Sequence, residues 1–246
     1  MISLKFLYFC AHPDDLEFNI SNFMITVAEN PKNECKIVSM TKGEMGTYNK
    51  ELKGEKLGKI REQELRRAAK IEGISQVEFL GQIDAHTKIN QETIDSARAI
   101  IESFTPDVVF APECLYYYYV HRDHVNTGLI VYHLIKKLKP PNRPKLFTYN
   151  SYVNTHYFPM KHWRRQSKAL LVHKSQYWLL LPAYPLRFIL GLYFGFCLPR
   201  RYRRFLMAEA YRKVDFQADS TNKLGLKQRI FGRIAAKLKS IVKPMV

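Results

Sequence analysis

The residues best suited to chemistry lie near the amino terminus, in the run A-H-P-D-D-L-E at positions 11–17. This run follows a short apolar segment, Leu4–Cys10, which is predicted to be a buried strand, and it precedes apolar residues at helical spacing. Open α/β sheets bind ligands beyond the carboxyl ends of their strands, so a ligand site is expected here. His12 and Asp15 can point at one divalent ion such as zinc, with Asp14 between them. An acidic turn that caps a helix is an alternative that this run alone leaves open.

A second cluster is H-R-D-H at 121–124, in the loop after a predicted strand at 107–111. By the same rule for strand ends, this loop is expected to open on the same side of the sheet as the first cluster. One histidine would complete a His/Asp/His set for zinc, and the other, beside Asp123, is typical of a histidine oriented by a carboxylate. The alternative is a surface loop with two incidental histidines. It is the weaker interpretation, because the loop lies at a second strand end, opposite the first cluster.

Strand and helix signals alternate through the first 150 residues, a pattern typical of βαβ units. Apolar runs predict strands at 4–10, 35–40, 77–80, 107–111 and 145–149, and helical periodicity predicts helices at 18–27, 57–71, 91–104 and 124–138. This order predicts a single α/β domain with a mainly parallel sheet flanked by helices. The 246 residues, 46% of them hydrophobic, can bury a substantial core for one such domain.

The two clusters together resemble the PIG-L/LmbE-like family of zinc-dependent N-acetylglucosaminyl deacetylases. Weaker matches extend the resemblance over about residues 3–215. They are T-K-G-E-M-G at 41–46, Arg61 with Glu64, L-G at 80–81 with Asp84, Lys168 with H-K-S-Q at 173–176, and A-E-A-Y at 208–211. The resemblance implies a Rossmann-like α/β architecture and hydrolytic removal of an N-acetyl group from an amino sugar.

The resemblance also implies one zinc ion per chain. Its ligands would be His12, Asp15 and His124, and Asp14 would be the general base. Three protein ligands leave a fourth position for water, whose pKa zinc lowers from 15.7 to about 7.

Further residues are implied to assist the reaction. His121, kept protonated by Asp123, would be the acid or the oxyanion partner, and Tyr119 is a candidate oxyanion donor. Arg61 and Asp84 are implied to contact the sugar, and ordinary pairing on the helix surface is the alternative for them.

Two departures from the family pattern stand out. Ser21-Asn22 occupies the place of a Gly-Gly pair, and Arg122 replaces the proline of H-P-D-H. The first is expected to change packing or the sugar pocket. The second adds a cation at the rim and leaves the ligands unchanged.

The net charge of +17 is concentrated in the last third of the chain. Residues 161–246 hold 19 Lys or Arg and only 3 Asp or Glu. Such asymmetry indicates contact with a polyanionic surface, either anionic lipid or nucleic acid. Four cysteines without a C-x-x-C pair indicate a reduced, intracellular protein, and the apolar run before the first cluster is too short for a signal peptide.

An apolar stretch at about 177–199 has one charge, Arg187, and is interrupted by Pro182 and Pro185. Basic residues flank it on both sides, which disfavours a full membrane span. We expect a shallow insertion into one leaflet, with a core helix or a lid over the site as the alternative.

The tail after residue 218 is predicted to be a separate basic segment, 219–246. Basic and apolar residues recur at helical spacing over 223–243, which is typical of an amphipathic helix at a membrane interface. Nucleic acid is the weaker partner, because phosphates would not use the apolar face.

These features predict a cytoplasmic protein, peripheral on the inner face of the membrane, that deacetylates a lipid-linked or glycoconjugate N-acetyl sugar. The alternatives are a deacetylase of soluble substrates and a non-catalytic sugar- or lipid-binding module. The oligomeric state stays open.

Overall fold

A computed structural model describes residues 3–221 of the chain. The predicted amphipathic helix at 223–243 lies outside these residues, and the domain division at 218/219 stays a prediction. Asp219 Oδ2, just after that division, accepts a hydrogen bond from Arg212 Nη1 at 2.8 Å.

Seven strands form one sheet in the order β3-β2-β1-β4-β5-β7-β6. The strands are β1 Lys5–Cys10, β2 Glu34–Thr41, β3 Gln76–Gln82, β4 Val108–Pro112, β5 Lys145–Tyr149, β6 His156–Pro159 and β7 Ala208–Lys213. The first five are parallel, whereas β7 runs antiparallel to β5 and β6 antiparallel to β7. The five predicted strands are therefore confirmed as the parallel part of a Rossmann-like sheet, and β6 was not predicted.

Helices cover both faces of the sheet. They are α1 Asp15–Asn19, α2 Ser21–Ala28, α3 Glu55–Glu72, α4 Gln91–Phe104, α5 Arg122–Lys137, α6 Trp163–Leu170, α7 Tyr177–Gly195 and α8 Ala218–Thr221. The predicted helix at 18–27 is two helices, because the backbone leaves helical geometry at Ile20, where φ is −136°. Helix α3 ends at Gly73, whose φ of 89° gives the predicted left-handed stop.

The buried strand β1 separates two apolar cores, because successive side chains of a strand point to opposite faces. Leu7 and Phe9 pack against α4 and α5, while Phe6, Tyr8 and Cys10 pack against α1, α2 and α3. Because β1 is packed on both faces, its carboxyl end is held in place, and the polar run at 11–17 begins directly after it.

Strand order reverses between β1 and β4, which lie side by side. The chain leaves β1 toward β2 on one side and leaves β4 toward β5 on the other. The crevice above such a point is where ligands bind in open α/β sheets. Both polar clusters follow these two strands, so the topology places them at one crevice.

Helix α7 is the predicted apolar stretch, and it contains both of its prolines. Four of its residues form a buried stripe: Leu180, Arg187, Gly191 and Gly195. The segment Lys174–Gly195 has the length and hydropathy of a membrane span, and 22% of the tested window is buried within the protein. Helix α7 therefore buries a narrow face against the protein and leaves a wide apolar face exposed.

Candidate metal centre and active site

The turn after β1 carries the carboxylates of Asp14 and Asp15, and Asp14 has a left-handed backbone conformation. Asp14 has φ of 107°, a conformation that Asp and Asn tolerate better than other non-glycine residues. Asp15 Oδ2 accepts hydrogen bonds from the backbone N–H of Ala11 at 3.0 Å and of His12 at 2.9 Å. One oxygen of Asp15 is thus fixed by the turn, and the other faces the crevice.

His124, in the first turn of α5, meets this turn across the crevice. His124 Nε2 lies 3.2 Å from Asp15 Oδ1, and His12 Nδ1 lies 3.9 Å from Asp15 Oδ2. The rings of His12 and His124 have centroids 5.2 Å apart. The structure therefore brings the three predicted metal ligands together at one crevice.

The donor set fits a divalent cation. Both ring nitrogens of His124 are buried, and within the described residues Nδ1 makes no hydrogen bond while Nε2 has only its contact with Asp15, although buried polar atoms are normally paired. Two imidazoles and a carboxylate are the ligand types that zinc takes in catalytic sites. Two groups have ligand atoms that all lie within 4.8 Å of one another among the described residues: His12, His121 and His124, and His12, Asp84 and Asp123.

His12 is held from its other side by two carboxylates. Its Nε2 lies 3.0 Å from Asp84 Oδ1 and 3.2 Å from Asp123 Oδ2. Burial opposes the charged imidazole, but these two carboxylates raise the pKa of His12 to about 10. A metal-bound histidine commonly donates its second N–H to a carboxylate in this way, which fixes its orientation.

Asp123 therefore has a role different from the expected one. We expected its carboxylate to hold His121, but it accepts hydrogen bonds from Ala85 N at 2.7 Å and Thr87 N at 3.2 Å and contacts His12. The expectation was wrong because Asp123 lies inside the first turn of α5, facing the loop after β3. The carboxylate of Asp123 thus contacts His12.

His121 is the residue that caps α5. Its Nδ1 accepts a hydrogen bond from the Asp123 backbone N–H at 3.3 Å, so the proton of the neutral ring is on Nε2. Burial and the electrostatic effect of the neighbouring His12 and His124 rings lower the pKa of His121 to about 4. The expected protonated His121 is thus corrected to a neutral ring that donates through Nε2.

Arg61 connects the first cluster to the glycine-containing loop at 41–46. Its Nη2 donates to Pro13 O at 2.6 Å and Asp14 Oδ2 at 3.2 Å, and its Nη1 donates to Gly43 O at 3.0 Å. Arg61 is 3% exposed, so the surface pairing considered for it is wrong. Burial and Asp15 raise the pKa of Asp14 to about 6 despite the nearby guanidinium.

Asp84 joins a third loop to the site. Its Oδ2 accepts from Met45 N at 3.0 Å, while Glu44 Oε1 accepts from Asp84 N at 2.9 Å. Tyr119, in contrast, is 46% exposed, and its ring centroid lies 4.7 Å from that of His124. Asp84 thus orients His12 from a rigid loop, and Tyr119 stands at the rim.

Sequence reasoning assigned no role to the residues behind the site. His173 Nε2 lies 3.4 Å from Glu17 Oε1, with both side chains fully buried. Glu64 accepts hydrogen bonds from Ser175 N and Ser175 Oγ at 2.9 and 2.6 Å. The H-x-S-Q match at 173–176 was the one feature of the sequence that could have pointed to His173 and Ser175.

The Ser21-Asn22 departure is accommodated by polar contacts. Ser21 Oγ donates to Glu72, and Asn22 Nδ2 donates to Gln166 Oε1 at 3.0 Å. His162 N donates to Asn22 Oδ1 at 2.8 Å. These side chains are buried away from the metal centre, and they tie α2 to α3 and α6.

Two pockets meet at the metal centre. A polar pocket of about 250 Å³ is lined by every predicted site residue except Asp123 and His124. An apolar pocket of about 310 Å³ extends beneath α7 and is lined by leucines, Phe18 and Phe194 as well as by His124. Asp14, Asp15 and Tyr119 line both pockets. A molecule with a polar and an apolar part can therefore reach the same carboxylates from both sides.

The family model described as PIG-L, GlcNAc-PI de-N-acetylase, matches residues 7–135, more than half of the chain. The chain belongs to the PIG-L family. The match includes both clusters of the metal centre. A comparison with curated protein sequences finds no match.

Solved structures with the same fold have diverse substrates. N,N′-diacetylchitobiose deacetylase from Pyrococcus horikoshii is 23% identical with a TM-score of 0.78, covering 87% of this chain and 85% of that one. A 4-carboxy-2-hydroxymuconate hydratase from Pseudomonas putida is 18% identical with a TM-score of 0.71, covering 87% and 97%. The zinc-inhibited form of a teicoplanin deacetylase is 13% identical with a TM-score of 0.62, covering 86% and 99%. At these identities the likeness shows the fold, and the reaction must be argued from the site.

Proposed function

We propose that this protein is a zinc-dependent N-deacetylase that removes the acetyl group from an N-acetylglucosamine-type sugar linked to a lipid. The observation that carries the proposal is the convergence of His12, Asp15 and His124 at the strand-order reversal, with the carboxylate of Asp14, held by Arg61, beside them. Membership of the PIG-L family supports the reaction type.

Zinc bound by His12, Asp15 and His124 would supply an activated water and polarise the amide carbonyl. Asp14 accepts the proton of the attacking water, because its carboxylate lines the polar pocket and its raised pKa suits a general base. Arg61 holds that carboxylate in place through the 3.2 Å contact.

The neutral ring of His121 faces the polar pocket and donates through Nε2 to the oxygen that gains charge. Tyr119 is the second donor, since its ring stands at the rim of the same pocket. Arg61 and Asp84 line this pocket and are the proposed sugar contacts.

A lipid-linked substrate is supported by the two pockets that meet at Asp14 and Asp15. The polar pocket suits a sugar, and the apolar pocket under α7 suits an alkyl or acyl chain. A soluble sugar would use the first pocket and leave the second without a role.

The test is mass-spectrometric detection of acetate released by the zinc-loaded protein from a panel of N-acetylglucosaminyl lipids and free sugars. We expect release from the lipid-linked members and its loss in the Asp14→Asn variant. Release from free sugars alone would support the soluble-substrate alternative. Metal binding without release from any member would support the non-catalytic module.

We also propose that the outer face of α7 docks on an anionic membrane surface. Every exposed residue of this helix is apolar, and Ile189 and Tyr193 are 61% and 65% exposed. Arg200, Arg201, Arg203 and Arg204 follow the helix in an exposed turn. Cations beside an apolar face favour an interface rich in anionic lipid, at about 1 kcal/mol for each basic residue.

Co-sedimentation with vesicles tests this docking. Full-length protein should pellet with phosphatidylcholine vesicles that contain about 30 mol% phosphatidylserine, and Ile189→Glu should weaken the binding. Ile89→Glu, the same change at an exposed isoleucine outside α7, should have no effect. Equal pelleting of all three proteins would argue against docking through α7.

A further inference from the structure

Arg187 is a buried cation with no hydrogen-bond partner among the described residues. It lies on the inner stripe of α7 and is only 5% exposed. Its Nε and both Nη atoms make no hydrogen bond within the described residues. Burying a charge is costly unless the charge is paired, so an unpaired arginine inside a protein calls for an explanation.

Glu209 attracts Arg187 electrostatically but does not hydrogen-bond to it. Glu209 lines the same pocket, but Glu209 Oε1 accepts from Asn22 N at 2.9 Å and Gln166 Nε2 at 3.0 Å. Glu209 Oε2 accepts from Phe23 N at 3.0 Å and from the hydroxyl of Tyr211. Four donors occupy the sites that a carboxylate offers, and this glutamate forms no ion pair with the arginine among the described residues.

Asp14 and Asp15 also line this pocket, but no described acid hydrogen-bonds to Arg187. Residues 222–246 contain no Asp or Glu. The guanidinium carbon of Arg187 lies 5.1 Å from the ring centre of Phe188 and 5.8 Å from that of Tyr184. These rings attract a cation weakly and offer its N–H groups no acceptor in the ring plane.

The surroundings show where a partner would come from. Arg187 lines the apolar pocket, whose walls also include Leu180, Leu190 and Phe194 of the same helix. This pocket is continuous with the metal centre through Asp15 and His124. An anion that reaches Arg187 would therefore arrive on the apolar side of a molecule whose polar end is at the metal.

We propose that Arg187 is a specificity residue that binds an oxyanion, of the phosphodiester class, on the lipid side of an amphiphilic substrate. This inference rests on the proposed deacetylation of a lipid-linked sugar. A guanidinium matches a phosphate with two parallel hydrogen bonds, and its weak hydration suits an apolar wall. The carboxylate of a fatty acyl chain has related chemistry and forms a separate arm of the test.

The experiment compares kcat/KM for two substrates with the same alkyl chain, one joined to N-acetylglucosamine through a phosphodiester and one through a neutral glycosidic bond. Wild-type protein should favour the phosphodiester at least about tenfold. Arg187→Met should lower kcat/KM for the phosphodiester by about 10- to 100-fold, mainly through KM, as expected for a lost charged hydrogen bond. The neutral substrate should change less than about threefold.

Two further variants complete the design. Arg187→Lys should retain part of the preference, because it keeps the charge but loses the planar pair of donors. Arg67→Met removes the same charge from an exposed site on α3 and should change neither substrate. Arg187→Met should unfold at the same or a higher temperature than the wild type, since an apolar side chain replaces an unpaired buried charge.

Equal losses on both substrates, or a lowered melting temperature in Arg187→Met, would show a structural role and overturn the inference. If the wild type hydrolyses neither substrate, the proposed function fails and binding decides the role of Arg187. Calorimetry should then show that wild-type protein binds monomeric dodecyl phosphate and that Arg187→Met does not. Binding of dodecanoate in preference to dodecyl phosphate would instead assign the site to a carboxylate and overturn the phosphodiester.

Discussion

The substitution Asp14→Asn separates the general base from the metal ligands. The left-handed backbone of this residue, with φ of 107°, makes asparagine the suitable replacement, because Asn tolerates this region. Alanine would add about 1–2 kcal/mol of backbone strain and confuse a lost base with a weakened fold. The asparagine Oδ1 can still accept the hydrogen bond from Arg61.

The expected magnitude follows from the contacts of Asp14. Removing a general base typically lowers turnover about 10²- to 10⁴-fold, which corresponds to about 3–5 kcal/mol of activation free energy. The fold should lose little, because Arg61 keeps its hydrogen bonds to Pro13 O and Gly43 O. Burial already disfavours the ionised form of the Asp14 carboxylate and raises its pKa, so a neutral asparagine is not expected to be less stable there on this account.

The assay combines turnover on the lipid-linked substrate with zinc content measured by inductively coupled plasma mass spectrometry. Asp14→Asn should hold the same zinc as the wild type and melt at a similar temperature while turnover collapses. A variant that keeps more than about a tenth of the wild-type turnover would show that another group is the base. A variant that has lost its zinc would show that Asp14 is a ligand, and the reasoning would fail in that case as well.

Three other substitutions test the metal centre and the fold. His124→Ala should lose most of its zinc. His133→Ala, a change at an exposed histidine on the same helix, should keep it. Equal zinc content in the two variants, measured by the same mass spectrometry, would contradict the assignment of His124 as a ligand. Arg212→Met should lower the free energy of unfolding by about 3–5 kcal/mol, because it leaves the buried carboxylate of Glu113 without its cation. A urea titration measures this free energy, and a decrease below about 1 kcal/mol would contradict the prediction. Gly195→Ala should destabilise by about 1–3 kcal/mol, since its Cβ would overlap the backbone of the following turn. Gly191→Ala meets only the flexible side chains of Met160 and Met207 and should be near neutral. Equal melting temperatures for the two glycine variants would refute the close packing of α7.

The parallel sheet was predictable because its strands are short apolar runs separated by periodic helices. Strand β6 was not, since His156–Pro159 has neither alternation nor an apolar run. Its position depends on pairing with β7, which lies about 50 residues later in the chain. Such long-range pairing leaves no local signal.

The metal ligands were predictable because strand ends fix where the two clusters meet. The role of Asp123 was not, because adjacency to His121 in sequence says little about side-chain direction at a helix start. The carboxylate points to the loop after β3, where Ala85 and Thr87 bind it. Spacing places residues at a crevice, but helix geometry decides which side chains touch.

The burial of Arg187 without a hydrogen-bond partner among the described residues also could not be predicted from the sequence. A single charge in an apolar stretch was weighed as a cost for membrane insertion. Its burial on the inner face of α7, where no described acid hydrogen-bonds to it, follows from the packing of that helix over β7. Only the assembled pocket shows that this charge lines the same pocket as Asp15 and His124 of the candidate metal centre.

Crystals of the zinc-loaded protein measured at the zinc absorption edge test the central claim most directly. One anomalous peak should lie about 2.0–2.2 Å from a nitrogen of His12, an oxygen of Asp15 and a nitrogen of His124. A peak held instead by His12, Asp84 and Asp123, or no peak between the two clusters, would contradict it.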